Sequence, residues 1–187
     1  MRELALHLMD IIQNSLSAGA RRIDILIAVD PQEDRLTIAV RDDGCGMSAE
    51  MLRQARDPYA TTRTTRAVGL GLALLNEQCA LTGGRLSLQS APGEGTLVEA
   101  VFGLSSIDRL PLGNVSETMT LLILADPAID YNLTCRSPEG DAVFDLAEIR
   151  KQLEDVPVND PLVLDWITGY LRQQMTLFGG ALHEITH

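Results

Sequence analysis

Basic residues, aromatic side chains and long apolar runs are all scarce in this chain of 187 residues. Lys and Arg number 15 against 26 Asp and Glu, and the formal net charge of −11 disfavours a surface that neutralises nucleic-acid phosphates. Aromatic residues make up only 4%, but a hydrophobic content of 45% can build one fair core, with at most a small appendage. No apolar run approaches the roughly 20 residues that span a bilayer. We therefore expect a globular protein that binds neither nucleic acid nor membrane.

Cysteine is also rare. Cys45, Cys79 and Cys135 are odd in number, widely spaced and without metal-ligand spacing, which favours reduced thiols over a disulfide framework. We expect all three to be buried or half-buried. The first residues lead directly into an amphipathic pattern rather than a signal peptide. Both observations favour a cytoplasmic location.

Helical and strand patterns alternate through the first 103 residues. The first helix carries an apolar stripe, and His7, Asp10 and Asn14 recur on one polar face of it. The irregular stretch at residues 57–68 is typical of a mobile lid. The predicted order is helix, two strands, helix, lid, helix and two strands, over residues 2–18, 23–29, 36–41, 48–56, 57–68, 69–81, 85–90 and 96–102.

Three glycine-bearing segments punctuate this order, at residues 42–47, 69–72 and 92–96. A lone pair of glycines would be weak evidence, because glycine mostly supplies turns with positive φ. The three segments follow in one order after a helix that carries Asn14. That combination is typical of a nucleotide pocket.

The residue types in these segments match what a nucleotide requires. Asp43, where a strand gives way to a glycine turn, is the predicted acceptor for the exocyclic amine of adenine. Gly44 and Gly46 would let a flat ring pack on the backbone. Gly69 and Gly71 leave amides free at a helix start, where the helix dipole favours phosphate.

The phosphate groups need partners of their own. Arg63 and Arg66 in the lid would neutralise phosphate charge. Magnesium prefers oxygen ligands and keeps several waters, so the amide oxygen of Asn14 with phosphate oxygens is an adequate site. Asp10, one turn earlier, would orient or deprotonate a nucleophile. Each residue alone has an ordinary explanation, as a turn former, a helix-end residue or a solvated charge, and only their order favours function.

These segments resemble the motifs of the GHKL ATPases. Residues 8–20, LMDIIQNSLSAGA, resemble the N box, and residues 42–47, DDGCGM, resemble the G1 box. Residues 57–63, DPYATTR, with 68–72, VGLGL, resemble the F and G2 boxes of sensor histidine kinases. GEGT at 93–96 resembles the final glycine-threonine box, whose threonine usually helps to hold the adenine-binding Asp. The resemblance adds further residues to the nucleotide site: Met47, Thr61, Thr62, Leu70, Leu72 and Thr96.

The resemblance covers residues 1–103 and implies a Bergerat-type α/β sandwich, with ATP and magnesium under the lid. Two residues depart from the family pattern. Asp10 stands where hydrolysing and anti-sigma kinase branches usually have Glu and sensor kinases have Asn, and Ser17 where mismatch-repair relatives are acidic. Family members also have a strand before the N box. We expect that element to be absent or supplied by later sequence.

The second half predicts a linker over 104–118 and a small α+β C-terminal region over 119–187. Leu162, Trp166, Ile167 and Tyr170 share one helical stripe, which we expect in the core. The whole chain is similar to small stand-alone bacterial ATP-binding proteins, notably over residues 106–113, and some of these are encoded beside iron hydrogenases. The predicted elements are strands, then two helices, over residues 119–125, 130–135, 141–144, 145–154 and 161–177.

Two histidine patterns are misleading. HEITH at 183–187 matches a zinc-protease motif, but it ends at the last residue and follows a glycine pair that breaks a helix. His7 lies on a helix, as phosphorylated histidines of sensor kinases do, but it lacks the acidic residue and proline that usually follow them. Neither pattern is expected to be functional.

Two functions remain. The first is a stand-alone protein kinase of the anti-sigma-factor kind, acting on a separate phosphoacceptor protein, with Asp10 as base and Asn14 on magnesium. The second is a nucleotide-driven switch in which the lid reshapes a partner surface and hydrolysis is slow or absent. A homodimer stays open. Mismatch repair is disfavoured by chain length and charge.

Overall fold

The computed structural model describes residues 3–56 and 70–183. Six strands form one mixed sheet in the order β3-β4-β2-β1-β5-β6. Every neighbouring pair is antiparallel except β1 and β5, which are parallel. The strands are β1 Arg22–Asp30, β2 Arg35–Asp42, β3 Arg85–Ala91, β4 Gly95–Gly103, β5 Asp130–Ser137 and β6 Gly140–Asp145. The helices are α1 Leu4–Ser17, α2 Ala49–Arg56, α3 Leu70–Leu81, α4 Val115–Ala125, α5 Leu146–Gln152 and α6 Pro161–His183.

One continuous core joins the sheet to its helices. Alternate residues of β1, such as Ile23 and Ile27, are fully buried because successive strand side chains point to opposite faces. They belong to the same cluster as Leu8 of α1, Met119 of α4 and Ile167 of α6. The predicted α/β sandwich, a mixed sheet layered with helices, is confirmed.

The predicted elements of the first 103 residues are present, with bounds that differ by at most two residues. The lid predicted over 57–68 lies outside the described residues, and only the helices before and after it, α2 and α3, are described. In the described parts of the chain no helix is long and apolar enough to cross a membrane.

The strand predicted at 119–125 is wrong, because these residues belong to helix α4. The Asn114 side chain accepts a hydrogen bond from the Glu117 amide and caps the helix start. Met119, Leu122 and Ile123 are buried whereas Leu121 is exposed, which is a helical spacing. A short apolar run fits either a strand or a buried helix, and the cap decides between them. The C-terminal region therefore begins with a helix, and the predicted linker ends inside its first turn.

The C-terminal strands form no sheet of their own. β5 pairs with β1 along its length, from Arg22 opposite Asp130 to Ala28 opposite Arg136, and β6 pairs with β5. Later sequence thus adds two strands to the sheet of the first half. A domain boundary near residue 103 stays a prediction, but the strands on both sides of it share one sheet.

Three residues that were expected to be buried or half-buried are exposed: Cys45, Leu162 and Trp166. Cys79 and Cys135 are buried, and burial raises the pKa of both thiols to about 12, but Cys45 is exposed. In α6, Ile167 is buried as predicted. Leu162 and Trp166 of the same predicted stripe are 82% and 56% exposed, so they are not core residues.

Candidate functional site

A cavity of about 240 Å³ opens between α1, the face of the sheet and the glycine turn that follows β2. Five side chains with hydroxyl, amide or carboxylate groups line it: Asn14, Ser15, Ser17, Asp42 and Thr96. Apolar side chains make up much of the remaining wall: Ile11, Met47, Met51, Leu72, Leu88 and Val98. A concave, mostly apolar cavity with a few polar groups is the usual form of a small-molecule site.

Asp42 provides the carboxylate of this cavity. It continues the alternation of Leu36, Ile38 and Val40, so its side chain lies on the core face of β2 and is 6% exposed. Its Oδ2 accepts a hydrogen bond from Ser15 Oγ at 2.7 Å, and its Oδ1 accepts one from the Gly44 amide at 2.9 Å. The carboxylate is therefore held in one orientation before any ligand binds.

Asp43, predicted as the pocket carboxylate, does not line the cavity. Its Oδ1 accepts hydrogen bonds from the backbone amides of Arg21 and Arg22, at 2.7 and 2.9 Å. The Arg22 amide is the largest cause that lowers the pKa of this carboxyl. Asp43 thus fixes the start of β1, and the adjacent Asp42 is the carboxylate that lines the cavity. The strand alternation that ends at Asp42 is the sequence signal that distinguishes the two residues.

Ser90, which the sequence analysis missed, joins two of the glycine segments. Its hydroxyl accepts a hydrogen bond from the Met47 amide at 2.8 Å and donates to the Gly95 carbonyl at 2.7 Å. It also lies 3.0 Å from the hydroxyl of Thr96, which was predicted in the site and lines the cavity. No sequence motif marks Ser90, because its role depends on its position opposite Thr96 in the β3–β4 register.

The glycines after β2 are required by contacts within the chain. Gly46 lines the cavity and has φ +66°, and a Cβ there would collide with the Ala91 carbonyl. A Cβ on Gly44 would lie 2.9 Å from that of Ala18. These contacts bring the glycine turn against α1 and the β3–β4 turn.

Two further predicted residues lie on α1. Asn14 is half-buried and lines the cavity. Asp10 is exposed, and a Cβ on Gly71 would lie 2.9 Å from its Oδ2. The carboxylate of Asp10 therefore lies against the first turn of α3, beside the cavity rather than among its lining residues. Leu72, also predicted, does line the cavity.

His7 does not share the exposed face of Asp10. It is 3% exposed, and its Nδ1 has no hydrogen-bond partner within the described structure. Burial lowers its pKa, and the neighbouring Asp10 opposes that shift. Such a buried ring is not accessible for phosphorylation.

Several predicted residues lie outside the described residues: Thr61, Thr62, Arg63, Arg66 and Gly69. Leu70 begins α3, but its side chain is not described. The glycine pair at 179–180 does not break the last helix as expected, because α6 continues through it to His183. The remaining residues of the HEITH pattern lie outside the described residues.

Residues 2–106 match the family described as histidine kinase-, DNA gyrase B- and HSP90-like ATPase. A putative sensor protein of Shewanella frigidimarina is 29% identical over 103 residues, which are 54% of this chain and 16% of that protein. The sensor histidine kinase ZraS of Klebsiella oxytoca is 36% identical over 91 residues, 48% of this chain and 20% of that one.

Two solved structures are also similar. One is the N-terminal domain of a DNA repair protein, with TM-score 0.47 and 17% identity over 76% of this chain and 52% of that one. The other is the Aquifex aeolicus MutL ATPase domain complexed with ADP, with TM-score 0.46 and 14% identity over 83% and 70%.

The matched region covers more than half of the chain and contains the cavity. The chain belongs to the histidine kinase-, DNA gyrase B- and HSP90-like ATPase family and has a histidine-kinase-like ATP-binding domain. It spans about a fifth or less of the length of the sensor proteins named above.

Proposed function

We propose that this protein binds ATP with magnesium in the cavity and acts as a stand-alone protein kinase of the anti-sigma-factor kind. The observation that carries the proposal is the contact between Asp10 and the first turn of α3. It puts an exposed carboxylate one helical turn from Asn14, at the end of the cavity where a helix begins.

The part of the cavity around Asp42 and Thr96 suits adenine. Asp42 is fixed by Ser15 and by the Gly44 amide, so it can accept a hydrogen bond from an exocyclic amine without reorganising. The hydroxyl of Thr96 is held by Ser90 and adds a second polar group. The apolar side chains around them would cover the faces of a flat ring. The contact that we first expected from Asp43 is therefore assigned to Asp42.

The part of the cavity near Asn14 and α3 suits the phosphates. The start of a helix favours negative charge, and the side-chain oxygen of Asn14 is the hard ligand that magnesium prefers. The bound metal would neutralise charge on the phosphate oxygens. Asp10 would accept the proton of a Ser, Thr or His on the partner protein as its oxygen or nitrogen bonds to the γ-phosphorus and ADP leaves.

Nucleotide binding can be tested by melting. At about 100 times the dissociation constant a ligand adds about 2.7 kcal/mol to the free energy of unfolding. For a chain of this size the melting temperature should rise by about 5–10 °C with MgATP. Folded protein that shows no shift with saturating MgATP or MgADP would rule out the assigned cavity.

The kinase step needs a separate experiment. The protein is incubated with labelled ATP, magnesium and a lysate of the source cells, and free phosphate and labelled protein are scored separately. Asp10→Asn should abolish labelling while leaving the melting shift intact, because Asp42 and Asn14 are unchanged. Glu77→Gln, which changes an exposed carboxylate on α3, is the matched control and should label normally.

Each other result has a defined meaning. Labelling that persists in Asp10→Asn removes this residue as the base. Nucleotide binding without labelled protein, with slow release of phosphate or none, favours the nucleotide-driven switch instead.

A further inference from the structure

The solvent side of α6 is unusually apolar at its start. Leu162, Asp165, Trp166 and Gly169 are all exposed and follow the spacing that puts residues on one helical face. Leu162 is 82% exposed and Trp166 is 56% exposed. We call these four residues the α6 outer face. The opposite face, with Leu164, Ile167 and Leu171, is buried in the core.

Trp166 is held in place although it is exposed. Its ring stacks on Tyr170 with centroids 5.7 Å apart and planes 13° apart. Tyr170 in turn lies 6.4 Å from the buried ring of Phe144, in the edge strand β6. An ordered, exposed aromatic ring loses little freedom on binding, and tryptophan is enriched among the residues that dominate protein interfaces.

Gly169 is a second unusual feature of this face. Glycine inside a helix is unfavourable compared with alanine, so it needs a reason. A Cβ at Gly169 would meet no atom within 4 Å, so no contact inside the described structure requires it. The glycine leaves a flat position one turn from Trp166, where another chain can approach the helix closely.

The chain from residue 126 to the start of α6 is strongly negative. Residues 126–165, which include β5, β6, α5 and Asp165 of the α6 outer face, contain ten acidic and three basic residues. The exposed Arg172 follows Gly169 by three residues in α6 and offsets one of these charges. The three basic side chains, Arg136, Arg150 and Lys151, are each paired with a carboxylate. The excess charge would repel a second copy of this face, a nucleic acid and an anionic lipid surface, whereas a basic partner would be attracted.

We propose that the α6 outer face binds a basic segment of a partner protein, which places an apolar side chain against Trp166 and passes close over Gly169. None of the four residues of this face lines the nucleotide cavity. The complementarity between the face and such a segment is both apolar and electrostatic.

Random 12-residue peptides displayed on phage are a suitable probe, selected on the folded full-length protein. The selected peptides should be enriched in Arg and Lys around one or two large apolar residues. Trp166 is the only tryptophan in the chain, so its fluorescence reports binding directly. A selected synthetic peptide should shift the emission to shorter wavelength and protect the ring from acrylamide quenching.

Variants then test each component by the anisotropy of a labelled selected peptide. Trp166→Ala should weaken binding about 30-fold and Asp165→Lys about fivefold at low salt. Gly169→Ala should weaken binding about tenfold while raising the melting temperature, a combination that loss of folding cannot produce. Leu81→Ala, at a residue 55% exposed on α3, and Glu77→Lys are matched controls that should bind normally.

Several results would overturn the proposal. These are selection of acidic or uncharged peptides, failure to enrich any peptide, and binding that is unchanged in Trp166→Ala and Gly169→Ala. A Trp166 emission shift caused by phosphatidylserine vesicles, by single-stranded DNA or by raised protein concentration alone would assign the face to lipid, nucleic acid or a second copy instead.

Discussion

The two sides of the sheet use their polar groups in different ways. On the β3-β4-β2 side, Asp42, Ser15 and Ser90 are buried or half-buried and hydrogen-bonded around a cavity. Surface ion pairs occur on both sides, as Arg85–Glu99 and Arg136–Asp141 show, but on the β5-β6 side the helix α6 exposes the large apolar side chains of Leu162 and Trp166. Buried, satisfied polar groups fix a small concave site, whereas exposed pairs contribute little rigidity.

Charge follows the same division. Residues 1–103 have 13 acidic and 10 basic residues, whereas residues 104–187 have 13 and 5. The more balanced half holds the cavity, where an anionic ligand must enter. The acidic half holds the exposed aromatic ring. One continuous sheet therefore supports two surfaces of different chemistry.

The largest expected effect tests whether the two sides are independent. A fragment of residues 1–113 loses β5 and with it the fully buried Tyr131 and Leu133, and it exposes the edge of β1. We expect no cooperative thermal transition by circular dichroism, in contrast to the full-length chain. A sharp transition in the fragment would instead support the separate ATP-binding domain that the sequence predicts.

The next effect separates two adjacent carboxylates. Asp42→Asn should weaken ATP binding about 30-fold, because a hydrogen bond to a charged group contributes about 2 kcal/mol. Asp43→Asn should leave affinity within about twofold, since its side chain bonds to the Arg21 and Arg22 amides outside the cavity. Titration calorimetry measures both, and an equal loss in the two variants would contradict the assignment.

A smaller effect concerns the junction of the two sides. The Tyr131 hydroxyl is buried at β5 without a hydrogen-bond partner in the described structure, and burial raises its pKa to about 12. Tyr131→Phe should therefore stabilise the protein by about 1 kcal/mol. Urea unfolding should show a higher midpoint with an unchanged m-value. Tyr170→Phe is the control, and destabilisation by Tyr131→Phe would indicate a partner for the hydroxyl.

The smallest effect is a pH dependence from His7. Burial holds its folded-state pKa below the ordinary 6.5, so the unfolded chain binds a proton more readily. The free energy of unfolding should therefore fall as pH drops through 6.5 and below. His7→Leu should flatten the urea midpoint between pH 7 and pH 5. An unchanged slope in this variant would assign the dependence to other groups.

Much of the nucleotide half could be predicted from the sequence, because its signals are local. Periodicity placed the helices and strands, and motif order placed Asn14, Gly46 and Thr96 around one cavity. Asp43 rather than Asp42 was chosen as the cavity carboxylate because the turn was interpreted without the strand alternation before it. Ser90 could not be predicted, since its contacts depend on the register of β3 with β4.

The C-terminal half was harder for a different reason. The run at 119–125 is apolar at nearly every position, so neither the helical nor the strand periodicity can be recognised. Only the Asn114 cap indicates a helix. The pairing of β5 with β1 joins residues about 100 positions apart, which no local pattern encodes. Trp166 matched a core stripe, but the buried face of α6 is turned toward Leu164 and Leu171.

The parallel pairing of β1 with β5 also affects how the protein folds during its synthesis. Residue 130 emerges from the ribosome about 100 residues after β1 is complete. At about 5–20 residues per second, synthesis leaves that strand edge unpaired for roughly 5–20 s. An unpaired apolar edge is a template for aggregation. Slow translation of the second half should therefore lower the yield of native protein.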